Sequence, residues 1–215
     1  STCNLLMLYC YSTENFKDIL EGFFKDAVEQ GFISSNQVQV LSYDQLNFFK
    51  VLPSGAYLFA DLERLLPLEL AMVKRLARRL RSRPESYTIV TDPNHWLNRI
   101  DLLRALAKAG INDFNGYYLH EINKSNVHLR FPVFIRMEND HHGTRSDLLY
   151  SHREIKQAIK KLPFREWLTR HQALVVEYCD TANDEGWFEK YSAYNINGKL
   201  IPCHVLFSKR WMLKK

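Results

Sequence analysis

A few charged side chains sit where the chain would otherwise be apolar, and their types point to phosphate chemistry. Arg136 closes the run Phe131-Pro132-Val133-Phe134-Ile135-Arg136. A guanidinium at a strand end can neutralise a phosphate through a forked pair of donors that a lysine cannot match. The following loop, His141-His142-Gly143-Thr144-Arg145-Ser146, offers in Gly143 and Thr144 small residues whose N–H groups could approach phosphate oxygens. Glu177 interrupts the run Val175-Val176-Glu177-Tyr178-Cys179-Asp180, where a carboxylate is costly to bury without a partner. Lys190, in Trp187-Phe188-Glu189-Lys190-Tyr191, is a fourth group able to reach a phosphate. Each also has a plainer reading. Arg136 could pair with a surface carboxylate, the loop could be ordinary and exposed, Glu177 could face solvent on an edge strand, and Lys190 could be a solvated charge.

Other chemistries find little support. The adjacent His141 and His142 lie in no HExxH or comparable metal-ligating arrangement, so no metal site is expected from them. No GxSxG elbow occurs, and no Ser or Cys has a nameable base beside it. The cysteines Cys3, Cys10, Cys179 and Cys203 form no CxxC pair, and three fall in apolar runs, which reads as reduced core thiols.

The elements that must position these groups follow from periodicity. Residues 4–10, 38–42, 56–61 and 87–91 are short strand-like runs. Between them, Phe16, Leu20, Phe23 and Ala27 share one helical face that stops at Gly31, and Leu66, Leu70, Val73, Leu76 and Leu80 share another that opens with Pro67. A further helix spans 99–109 and closes at Gly110. Alternating strands and helices predict a small doubly wound parallel sheet. The second half reads differently. A strand at 131–137 precedes a helix opened by Ser151 and Glu154, a short helix after Pro163, a strand at 173–180, and a hairpin over 187–207 turning at Asn197-Gly198. That half is α+β with antiparallel strands. The expected fold is therefore α/β, with domains at 1–123 and 124–215.

In its order of elements the second half resembles the ATP-grasp fold. There a strand ending in a basic residue precedes a loop that closes over phosphates, then come a helix, a hinge strand with a Glu, and antiparallel strands of a second lobe. The first half is similar to the domain preceding that core in bacterial proteins of the group. The segments that carry this are Asp61-Leu62-Glu63-Arg64-Leu65, Thr91-Asp92-Pro93-Asn94, Leu102-Leu103-Arg104-Ala105-Leu106 and Gly110-Ile111-Asn112-Asp113-Phe114. The resemblance covers nearly the whole chain, through motif order rather than through any one spacing. It implies ATP and Mg²⁺ as cofactors, a small carboxylate substrate, and ligation to an amine or thiol through an acyl phosphate. It also implies Arg136, Gly143, Thr144 and Lys190 on phosphate, Glu177 on the ribose hydroxyls, and the backbone of Tyr178 and Cys179 facing adenine. Two departures are visible. Ser192 stands where relatives carry an Arg, and the Asp and Glu-x-Asn segment that holds Mg²⁺ does not occur before Lys215. The expectation is that this 215-residue chain turns over no substrate.

With 215 residues, 46% of them hydrophobic and 13% aromatic, the chain can bury a substantial core, and no apolar run reaches the roughly 20 residues of a membrane span. The first residue is Ser and no secretory signal is visible, so the cytoplasm is expected. The net charge of +5 calls for an anionic partner. Lys74, Arg75, Arg78, Arg79, Arg81 and Arg83 account for it in ten residues, which gives a rival reading as a nucleic-acid-binding or scaffold protein. Leu76 and Leu80 interrupt that run at core spacing, as in a solvated helix face.

Overall fold

The first strand, β1 (Leu8–Ser12), is the centre of a parallel sheet with β2 (Val38–Ser42), β3 (Gly55–Phe59) and β4 (Tyr87–Ile89), in the order β2-β1-β3-β4. In this computed structural model residues 7–47, 50–139, 143–196 and 199–212 are described. Helix α1 (Glu14–Glu29) leads from β1 to β2, and α2 (Pro67–Arg81) leads from β3 to β4 in the opposite direction across the sheet. Right-handed crossovers then place the two helices on opposite faces. The core lies under α2, where Val73, Leu76, Ala77 and Leu80 meet Tyr11, Tyr57, Phe59 and Tyr87. Burying side chains of this size contributes about 1.5–3 kcal/mol each. The α1 face is thinner. Phe24, not Phe23, joins Phe16, Leu20 and Ala27 on its half-buried stripe, and Phe23 is 60% exposed. The stripe is centred one residue round the helix from where the spacing put it.

The second sheet is antiparallel, with β5 (Gly116–Tyr118), β7 (Ala173–Glu177) and β6 (Val133–Met137) in the order β5-β7-β6. Helix α3 (Arg99–Lys108) covers one face, where Ile100 and Leu103 pack with Phe134, Leu174 and Val176. The other face is closed by α4 (His152–Lys160), whose Ile155 meets Val133, Ile135, Met137, Ala173 and Val175. Ser151 caps α4 by accepting from the Glu154 N–H, as its spacing predicted. Helix α5 (Phe164–Leu168) starts after Pro163. A long antiparallel pair, β8 (Phe188–Ile196) and β9 (Lys199–Ser208), ends the fold, and its turn at Asn197-Gly198 lies outside the described residues.

The α/β class with a parallel sheet followed by antiparallel strands is thus what the sequence leads one to expect. The chain divides into Ser1–Trp96 and Leu97–Lys215. Strand β5 belongs to the second sheet. It pairs antiparallel with β7 rather than extending the parallel sheet, and Gly116 lets α3 lie directly on it. Among the described residues, no helix is long and apolar enough to cross a membrane.

Candidate functional site

Strand alternation sorts the expected site residues onto two faces of the second sheet. Arg136 lies opposite Leu174 and shares the α3 face with Phe134 and Val176. Glu177 lies opposite Val133 and shares the α4 face. The strands therefore do not bring Arg136 and Glu177 together.

Glu177 is 7% exposed, and both its oxygens are engaged by main chain. Oε2 accepts from the Asn115 N–H at 3.0 Å and Oε1 from the Arg130 N–H at 2.9 Å, with the Arg130 guanidinium 3.9 Å away. A buried carboxylate needs such donors. Glu177 braces the segments entering β5 and β6, and its two oxygens are spent on that task. The Tyr178 N–H donates to the Pro132 carbonyl, which commits one of the hinge groups expected to face adenine. The Cys179 thiol donates to Asp113 at 3.3 Å, and burial followed by Asp113 pushes it up from its ordinary value.

The α3 face at the end of β6 holds a cluster the sequence did not reveal. Arg99, the first residue of α3, donates to the carbonyls of Met137 (3.0 Å) and Glu138. That brings its charge beside Arg136, whose pKa is pushed down to about 10, first by burial and then by Arg99. The Tyr118 hydroxyl donates to Glu138 at 2.9 Å. Burial, with Asp101 next among the groups that act upward, holds the Glu138 carboxyl above its ordinary range against the pull of Tyr118 and Arg99. On the same face Trp211 packs on Phe134 (ring centroids 5.1 Å apart) and edge-on to Tyr178 (5.7 Å). The result is two cations at one end of an aromatic floor. One local sign was available for Arg99. It occupies the first position of a helix, where the backbone dipole disfavours a cation, and such misfits concentrate at functional sites.

The loop after β6 is tied back where it is described. Gly143 has φ 96°, a left-handed conformation that suits glycine. The Thr144 hydroxyl reaches Met212 Sδ at 3.2 Å. Arg145 pairs with Glu166 at 2.7 Å, and Ser146 Oγ accepts from the Ile135 N–H. His141 and His142 lie outside the described residues. Lys190 is exposed on β8, opposite Leu206, and alternation puts it on the face of Ser192, which bonds His204 at 3.1 Å. A cavity of about 360 Å³ lined by Leu119, His120, Leu168, Arg170 and His171 opens where β5 ends and β7 begins. Among the described residues, no three or more His, Cys, Asp or Glu side chains come together as metal ligands would.

No family model and no curated protein matches the chain. Among solved structures, D-alanine–D-alanine ligase from Bacillus anthracis is similar over 95% of this chain and 72% of its own, at 13% identity and a TM-score of 0.42. A D-cycloserine synthetase is similar over 92% of this chain and 66% of its own, at 10% identity and a TM-score of 0.44. At this identity and TM-score the functional reading rests on the residues themselves.

Proposed function

We propose that the Leu97–Lys215 unit binds ATP, with Arg99 and Arg136 holding its phosphates, and that the chain is kin to the ligases that activate a carboxylate as an acyl phosphate. The observation that carries this is the placing of Arg99 on the carbonyls of Met137 and Glu138, which sets its guanidinium beside Arg136 at the end of β6. Two half-buried guanidiniums side by side set up a local positive potential that draws an anion. A polyphosphate is such an anion, and its tetrahedral oxygens match two forked donors. The aromatic floor of Phe134, Trp211 and Tyr178 suits a purine beside it. These residues fit a nucleotide.

When bound, ATP supplies the phosphoryl group that converts a carboxylate into an acyl phosphate. The chain's own part is positioning. Arg99 is anchored by two carbonyls, so its guanidinium is held in place rather than ordered on binding. In this reading Glu177 serves as a brace rather than on ribose, and the nucleotide-binding unit starts at Leu97. A cytoplasmic setting, with ATP at hand, belongs to the same proposal, as does a small carboxylate as the second substrate.

Calorimetric titration of the 215-residue chain with ATP and with AMP tests the assignment. Phosphate-directed binding predicts ATP tighter than AMP by about tenfold or more, since AMP lacks the charge that two arginines read. Equal affinities, or no saturable binding of either, contradict it.

A further inference from the structure

The basic run of α2 is divided by the fold into two sets. Lys74 lies over the Trp96 ring at 5.7 Å, Arg78 donates to Asn94 Oδ1 at 2.7 Å, and Arg81 pairs with Asp92. These three tie the helix to the turn after β4. Arg79 and Arg83 point elsewhere. With Lys50, Val51, Leu52, Leu80 and Tyr87 they line a cavity of about 160 Å³ at the end of the parallel sheet where β3 and β4 begin. The loop that supplies Lys50 is fixed by two bonds. Arg79 Nη2 donates to the Lys50 carbonyl at 3.2 Å, and the Tyr87 hydroxyl donates to the Leu52 carbonyl at 3.0 Å. Among the described residues lining the cavity there is no carboxylate.

We propose that this cavity is a second anion site, independent of the nucleotide site, and that it takes the phosphate group of a small phosphorylated molecule. Three cationic side chains, from a loop and a helix end, concentrate positive potential around one concave space. Its volume of about 160 Å³ is ample for one phosphate head. Nucleic acid is disfavoured because it would need a continuous stripe of cations, and Lys74, Arg78 and Arg81 have partners within the protein.

The test is a titration of the isotope-labelled 215-residue chain with inorganic phosphate, followed by amide NMR. Saturable shifts confined to residues 50–52, 79–83 and 87 are expected. Lys50→Gln and Arg83→Gln, both at exposed side chains, are each expected to weaken that binding by about tenfold while leaving the rest of the spectrum in place. If either variant failed to fold, the position of the shifts in the parent chain would still decide the matter. Absence of saturable shifts at these residues overturns the proposal. So does a single-stranded oligonucleotide that binds more tightly than phosphate with shifts extending to Arg75 and Arg78, since that would mark a nucleic-acid surface.

Discussion

Glu177 shows how a buried charge can look like a ligand group in the sequence and be a brace in the fold. Its donors, the N–H groups of Asn115 and Arg130, are 62 and 47 residues away and leave no mark on the spacing around it. Glu177→Gln would turn one acceptor into a donor facing an N–H. Losing a charge-assisted bond of this kind should cost about 2 kcal/mol in a urea unfolding titration, and an unchanged midpoint would show that the carboxylate is dispensable. Glu138 sets up a different expectation. Its folded carboxyl is raised above the ordinary value, so the folded state binds the proton more tightly than the unfolded chain. Its contribution to stability therefore falls as pH rises from the ordinary carboxylate range through the raised value. The same ionisation puts a negative charge beside Arg99, so Glu138→Gln should bind ATP more tightly at neutral pH by roughly threefold. Weaker binding by that variant would mean that the carboxyl assists the ligand rather than opposing it.

At the scale of elements, α3 and β5 decide where the cations meet. A Cβ on Gly116 would stand 2.9 Å from Ile100 Cδ1 and 3.4 Å from Leu103 Cδ1, so the helix lies against the strand with no room between. Gly116→Ala should push α3 outward and lower stability by about 1–3 kcal/mol. Because Arg99 adjoins Ile100, ATP affinity should drop with it. A variant of parental melting temperature would show that α3 can shift without cost. The longer elements were legible because their periods are unambiguous. β2 and α2 appear where their spacing put them, and Ser151 caps α4 as its pattern implied. β5 was not legible. Three residues, Gly-Tyr-Tyr, carry no period, and only pairing with β7 makes them a strand. Of the site, Arg136 could be found from a cation ending an apolar run, whereas Arg99, Tyr118 and Trp211 reach β6 and the residue after it through contacts between distant segments. Lys190 is exposed on β8, and Glu177 is buried against the main chain of Asn115 and Arg130, placements that their residue types alone do not show.

For the whole molecule, two cationic features are of interest. One is the arginine pair of the second unit, and the other is the Lys50, Arg79 and Arg83 cavity of the first. The central claim concerns the arginine pair, and a comparison of ATP affinities tests it most directly. Arg99→Gln, Arg136→Gln and the double variant would be titrated with ATP beside the parent chain, with thermal melting as the folding control. Each single change should weaken ATP by about tenfold, and the double change by less than the product, since both groups act on one polyphosphate. Variants that stay folded and bind ATP as tightly as the parent would contradict the account.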